Sequence, residues 1–255
     1  MRGPAVRRTT STLLLLLVAG CSAAPSGATS PEPAGTVATT CADLVVIGAR
    51  GSTQDAELNA GVGTEVRRTT EQLVARLHRH SDETVALEAI GYDASLAPTV
   101  AAFRARTAEG SRMMTQRLRA LARRCADSRF ALIGFSQGAQ VVHGTATRMS
   151  TPLARRVALV AMIADPTANP QDRIRHWSYA DDPVVGNGRL GSGPAIDRDL
   201  RGVAISLCVA GDEICNDRGA PGGPPSSTHR HFYEKPSSTR ETARRLDEVL
   251  RASGA

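Results

Sequence analysis

The sequence predicts an α/β fold in which a central, mostly parallel sheet carries helices on both faces. Three observations lead there. Short, dense apolar runs recur along the chain and stop at glycine or other small residues, as buried strands do. Stretches of helical periodicity of ten or more residues separate most of them, and connections of that kind return the next strand parallel to the last. One run leads through a glycine-bracketed serine directly into a helical pattern.

Taken in order, the N-terminus stands apart from the fold. "MRGPAVRRTTSTLLLLLVAGC" sets Arg2, Arg7 and Arg8 before an apolar run from Leu13 to Ala19, then Gly20 and Cys21. A basic start, a short apolar centre and small residues before a cut describe an export signal over 1–20. The apolar run is too short to cross a bilayer core of about 30 Å as a helix. "VAGC" is similar to the lipobox of bacterial lipoproteins, which predicts a diacylglyceryl group on Cys21 and a membrane anchor; a plain secretory peptide is the alternative. Either way the protein is exported. Residues 21–40 are rich in Pro, Ser, Thr and Gly and read as a flexible tether behind the lipidated cysteine. The folded domain is expected over 41–255, a length that supports one full hydrophobic core.

Within that domain, "DLVVIGARG" (43–51) is a buried strand ending in a tight loop, and 64–79 is a helix through Val66, Leu73, Val74 and Leu77. "ETVALEAIGY" is a second strand. A long amphipathic helix over 99–124 carries Val100, Phe103, Met113, Met114, Leu118 and Leu121. "RFALIGFSQGAQVVHG" (129–144) is strand, turn and helix, the helix running to about 149. "RVALVAMIADP" (156–166) and "GVAISLCVAG" (202–211) are further buried strands, and "STRETARRLDEVLRA" closes the chain as a helix. Between the last two strands, 167–200 is glycine-rich, holds the only tryptophan, Trp177, and reads as a loop that packs on the surface or touches substrate.

Composition narrows the function. Removing Arg2, Arg7 and Arg8 from the formal charge of +6 leaves +3 on the mature chain. The arginines are scattered, aromatics are 3% of the residues, and no basic stripe alternates with aromatic ones, so nucleic acid is not an expected partner. Of five cysteines, Cys21 is assigned to the lipid; the remaining four suit disulfides in an exported protein. Of the three possible connectivities, the reading adopted joins Cys208 to Cys215 locally and Cys41 to Cys125 at long range. Paired Cys-x-x-Cys spacing is absent, and His229/His231 or His78/His80 lack a clear further ligand, so neither metal nor cofactor is expected.

The chemistry centres on Gly134-Phe-Ser136-Gln-Gly138. A Gly-x-Ser-x-Gly turn between strand and helix is sharp enough to push a serine out above the strand ends. Its partners should follow in the order acid, then histidine. Asp212, in "CVAGDEIC" just past a strand, is the candidate acid, with Glu213 its neighbouring competitor; Asp165 reads instead as a turn residue before Pro166. His143 lies inside the elbow helix and His176 precedes the acid, which leaves His229 and His231 in the loop after the last strand.

Together these motifs resemble the cutinases, and within them the mycobacterial and related actinobacterial cutinase-like serine esterases of the α/β-hydrolase class. The resemblance spans 41 to about 234 and rests on Cys-x-x-x-Asp-x-x-Cys with a following histidine, "GFSQGA" and "ARGST". It implies Ser136 as nucleophile, Asp212 as acid, an oxyanion hole from Ser52 and Gln137, and disulfides Cys41–Cys125 and Cys208–Cys215. Cutinases place the base in His-x-x-Tyr, whereas this chain reads "THRHFYE"; His229 is preferred as the base and His231 kept as the alternative. The implied activity is hydrolysis of acyl-lipid or polyester ester bonds by a monomer with an open cleft. A phospholipase or thioesterase on the same residues, or a non-catalytic lipid-binding envelope lipoprotein, are the alternatives.

Overall fold

The computed structural model describes residues 41–179, 183–184, 186–219 and 223–254, all within one unit spanning Gly35–Ala255. The expectations for 1–20 and 21–40, lipidation of Cys21 included, lie outside the described residues. Six strands form one sheet: β1 (Leu44–Ala49), β2 (Val85–Ala89), β3 (Arg129–Phe135), β4 (Val157–Ile163), β5 (Arg175–Ser178) and β6 (Ala204–Cys208). Their spatial order is β2-β1-β3-β4-β6-β5, and all five pairings are parallel.

Alternation along the strands divides the core in two. Leu44, Val46, Ile133, Leu159 and Leu207 face α1 (Thr64–Leu77) and the C-terminal helix. Val45, Ile47, Leu132, Val160 and Met162 face α2 (Val100–Arg124) and α3 (Gln137–Ala146). The strands read as continuous apolar runs because both faces are covered. α4 (Thr151–Ala154) and α5 (Ser227–His231) are short, and α6 (Pro236–Ala252) closes the chain.

Two elements differ from expectation. The stretch read as loop over 167–200 contains β5, whose Arg175 and His176 are exposed and carry no strand-like apolar pattern. Its strand conformation comes from pairing with β6, whose edge N–H and C=O groups need partners. The histidines expected in a loop lie on α5, a single turn capped by Ser226, whose Oγ accepts the His229 N–H at 3.2 Å. The disulfides Cys41–Cys125 and Cys208–Cys215 are both formed.

Candidate active site

The site lies at the carboxyl ends of the strands, where β3 turns into α3. Ser136 sits in that turn with φ +53° and ψ −116°, a strained backbone for a residue with a side chain. Both flanking glycines are required by space. A Cβ on Gly138 would lie 2.0 Å from the Ala49 carbonyl oxygen, and one on Gly134 would lie 2.2 Å from the Gly138 oxygen. The strand end, the elbow helix and β1 therefore pack against bare backbone, and the serine is held out over them.

Ser136 Oγ is 3.0 Å from His229 Nε2. On the other side of the ring, Nδ1 lies 2.9 Å and 3.1 Å from the two Asp212 oxygens. Asp212 is fully buried, just beyond β6 in the loop that the Cys208–Cys215 bridge closes. It also accepts the Ile214 N–H at 2.9 Å and the Tyr233 hydroxyl at 2.8 Å. Burial, together with the Asp212 carboxylate, raises the Tyr233 phenol well above its ordinary value, so Tyr233 stays protonated and donates. Phe135 stacks on the His229 ring at 5.2 Å and limits its rotation.

The rival residues stand elsewhere. His231 is exposed at the surface, 3.1 Å from Glu234. Glu213 accepts the Ser226 N–H at 2.7 Å and so helps to seat α5, while the carboxylate bonded to the imidazole is that of Asp212. His143 and Asp165 form a separate buried pair, and Asp165 also accepts from Thr167 N–H at 2.8 Å in the turn expected there.

The expected oxyanion donors are the backbone N–H groups of Ser52, which has no hydrogen-bond acceptor among the described residues, and of Gln137, at the first position of α3. The Ser52 hydroxyl donates to Gln137 Oε1 at 2.6 Å and ties the two segments together. A cleft of about 490 Å³ opens beside Ser52 and Ser136, lined by Leu96, Val100, Phe103, Leu190, Ile214 and Arg230. The 186–194 segment thus reaches the cleft through Leu190. Tyr233 was not singled out from the sequence as a site residue. Its signal was the aromatic pair Phe232-Tyr233 after the histidines, but its bond to Asp212 depends on tertiary structure.

A parallel sheet, a strained serine elbow and a serine, histidine and carboxylate in line define the α/β-hydrolase class. A cutinase-like protein from Cryptococcus sp. superimposes with a TM-score of 0.64 at 16% identity, covering 84% of this chain and 96% of that one, and supports the fold. The cutinase family model matches residues 40–242, so the chain belongs to the cutinase family. A cutinase of Kineococcus radiotolerans is 29% identical over 227 residues, which is 85% of this chain; the match spans 65% of that relative's length, just under two thirds. Carboxylesterase Culp1 of Mycobacterium tuberculosis is 27% identical over 179 residues, 70% of this chain and 71% of that protein.

Proposed function

We propose that this protein is an exported esterase, anchored by a lipid on Cys21, that cleaves acyl esters through Ser136, His229 and Asp212. The observation that carries the reading is the continuous line of contacts from Ser136 Oγ through His229 to the buried Asp212. In the first step His229 Nε2 takes the serine proton as Oγ attacks the ester carbonyl. The negative oxygen of the tetrahedral intermediate is met by the N–H groups of Ser52 and Gln137, and losing one such donor costs about 3 kcal/mol of barrier. His229 then returns the proton to the departing alcohol, leaving an acyl group on Ser136. Water, activated by the same imidazole, releases the acid. Asp212 holds Nδ1–H and stabilises the imidazolium in both halves.

The apolar cleft wall fits an acyl chain, and the relatives' names point to cutin-type and carboxylic esters. Two disulfides and an N-terminal export signal support a location outside the cytoplasm. In this reading residues 1–20 are removed, 21–40 tether the domain and 41–255 perform the chemistry.

The test is hydrolysis of p-nitrophenyl esters from C2 to C16 beside Ser136→Ala, His229→Ala and His231→Ala. Loss of about 10⁴-fold or more in kcat is expected for the first two, with His231→Ala near the parent. Equal loss in His231→Ala, or retained activity in Ser136→Ala, would overturn the assignment. Phospholipid and thioester substrates run in parallel separate the neighbouring activities. For the anchor, a Cys21→Ser protein should leave the membrane fraction and lose incorporation of labelled fatty acid.

A further inference from the structure

The loop carrying Ser52 is held by a side-chain relay that the catalytic line does not include. Gln54 Oε1 accepts the Gly51 N–H at 2.6 Å, and Gln54 Nε2 donates to Glu65 Oε2 at 2.6 Å. The amide has a single workable orientation, because the backbone N–H needs its oxygen and the carboxylate needs its hydrogens. Gln54 lies against bare backbone on its other side: a Cβ on Gly63 would lie 2.0 Å from its Oε1. Glu65, in the first turn of α1, is 4% exposed and lines the same cleft as Ser136.

The loop needs this support. Thr53 has φ +63°, which is unfavourable for a threonine and persists only when its surroundings impose it. Arg50 braces the start of the loop by donating to the Gln54, Ile90 and Tyr92 carbonyls, and Thr53 N–H donates to Ala94 O at 2.7 Å. Between these anchors the Gly51 N–H is held by the Gln54 side chain, while the Ser52 hydroxyl is tied separately to Gln137. A buried carboxylate whose partner is a neutral amide is a costly way to fill space; an apolar residue would serve packing better. Burial raises the Glu65 carboxyl above its ordinary range, opposed by the hydrogen bond from Gln54.

We propose that Gln54 and Glu65 are positioning residues for ester hydrolysis: the relay Glu65–Gln54–Gly51 holds the turn that presents the Ser52 N–H to the oxyanion. This rests on the reading of Ser52 as an oxyanion donor. The relay acts on the transition state, where the oxygen carries charge, and hardly on ground-state binding.

The experiment uses the full chain and p-nitrophenyl butyrate, comparing the parent with Ser136→Ala, Gln54→Met, Gln54→Glu and the double exchange Gln54→Glu/Glu65→Gln. Gln54→Met deletes both hydrogen bonds at nearly constant volume and should lower kcat about 10- to 100-fold with KM within about twofold. Gln54→Glu sets two carboxylates together and should do at least as much harm. The double exchange recovers most of the lost kcat, because the introduced carboxylate takes the Gly51 N–H and the introduced amide donates to it. Melting curves accompany each variant, and if Gln54→Glu does not fold, Gln54→Met and the double exchange decide. Unchanged kcat in folded Gln54→Met, or a folded double exchange no better than Gln54→Met, overturns the relay. A parent no more active than Ser136→Ala overturns the underlying site reading, and the relay with it.

Discussion

Asp212 is enclosed by protein, and several of its neighbours supply it with a hydrogen. His229, Ile214 N–H and the Tyr233 hydroxyl converge on its two oxygens, while Val209 N–H donates in turn to the Tyr233 oxygen at 3.0 Å. A carboxylate taken out of water keeps its charge only with such a complement. Tyr233→Phe removes one charge-assisted bond and leaves the Val209 N–H without its partner. We expect a loss of about 1–3 kcal/mol in urea unfolding and a several-fold fall in kcat/KM. The elbow makes a steric prediction. Gly138→Ala drives a methyl to 2.0 Å from the Ala49 oxygen, so soluble yield should collapse, or stability should fall by more than about 3 kcal/mol. The serine and its glycines were legible from their spacing. The Gln54–Glu65 contact was not, because it joins two loop-adjacent residues through geometry rather than through a motif.

At the level of elements, α3 is fastened to the chain beyond β4 by the buried His143. Its Nδ1 is 2.5 Å from Asp165 Oδ2 and its Nε2 is 2.8 Å from the Pro194 carbonyl oxygen. Both ring nitrogens face acceptors, so both must carry hydrogens and the ring is an imidazolium. Burial works against that charge, but the Asp165 carboxylate, its hydrogen bond and the Pro194 carbonyl outweigh it and push the pKa up to about 9. A folded value above the unfolded value of about 6.5 stabilises fully below pH 6.5 and is lost as pH rises through about 9. Urea unfolding should therefore show stability falling by on the order of 3 kcal/mol between those limits. His143→Gln should be less stable at pH 6 and nearly flat across the window. In sequence His143 was only a helix residue of the elbow, since its partner lies across the sheet end. β5 was similarly hidden: its residues have no strand pattern of their own, and the edge of β6 imposes one.

The whole molecule is held by two bridges of different reach. Cys41–Cys125 joins residues 84 apart, whereas Cys208–Cys215 closes a separation of only 7. In the chain-entropy account the longer loop contributes about 4–5 kcal/mol and the shorter about 2 kcal/mol. Removing the first with Cys41→Ala/Cys125→Ala should lower the urea midpoint most and leave kcat of the folded protein close to the parent. Cys208→Ala/Cys215→Ala should show the reverse balance, because Asp212 lies inside the short loop. Parallel unfolding and ester-hydrolysis measurements read both effects.

The sequence by itself determined the buried strands, through dense apolar runs bounded by small residues, and the elbow, through glycines that only a close approach demands. It also brought forward four cysteines suited to disulfides and, after the serine, two histidines in the right order. Only the tertiary structure decided which histidine faces Ser136. His229 and His231 sit two residues apart on α5, and at about 100° per residue they point to nearly opposite sides of the turn. One ring meets the serine, and the other meets water and Glu234. No local pattern carries that information, because it depends on how the turn is docked against the ends of β3 and β6.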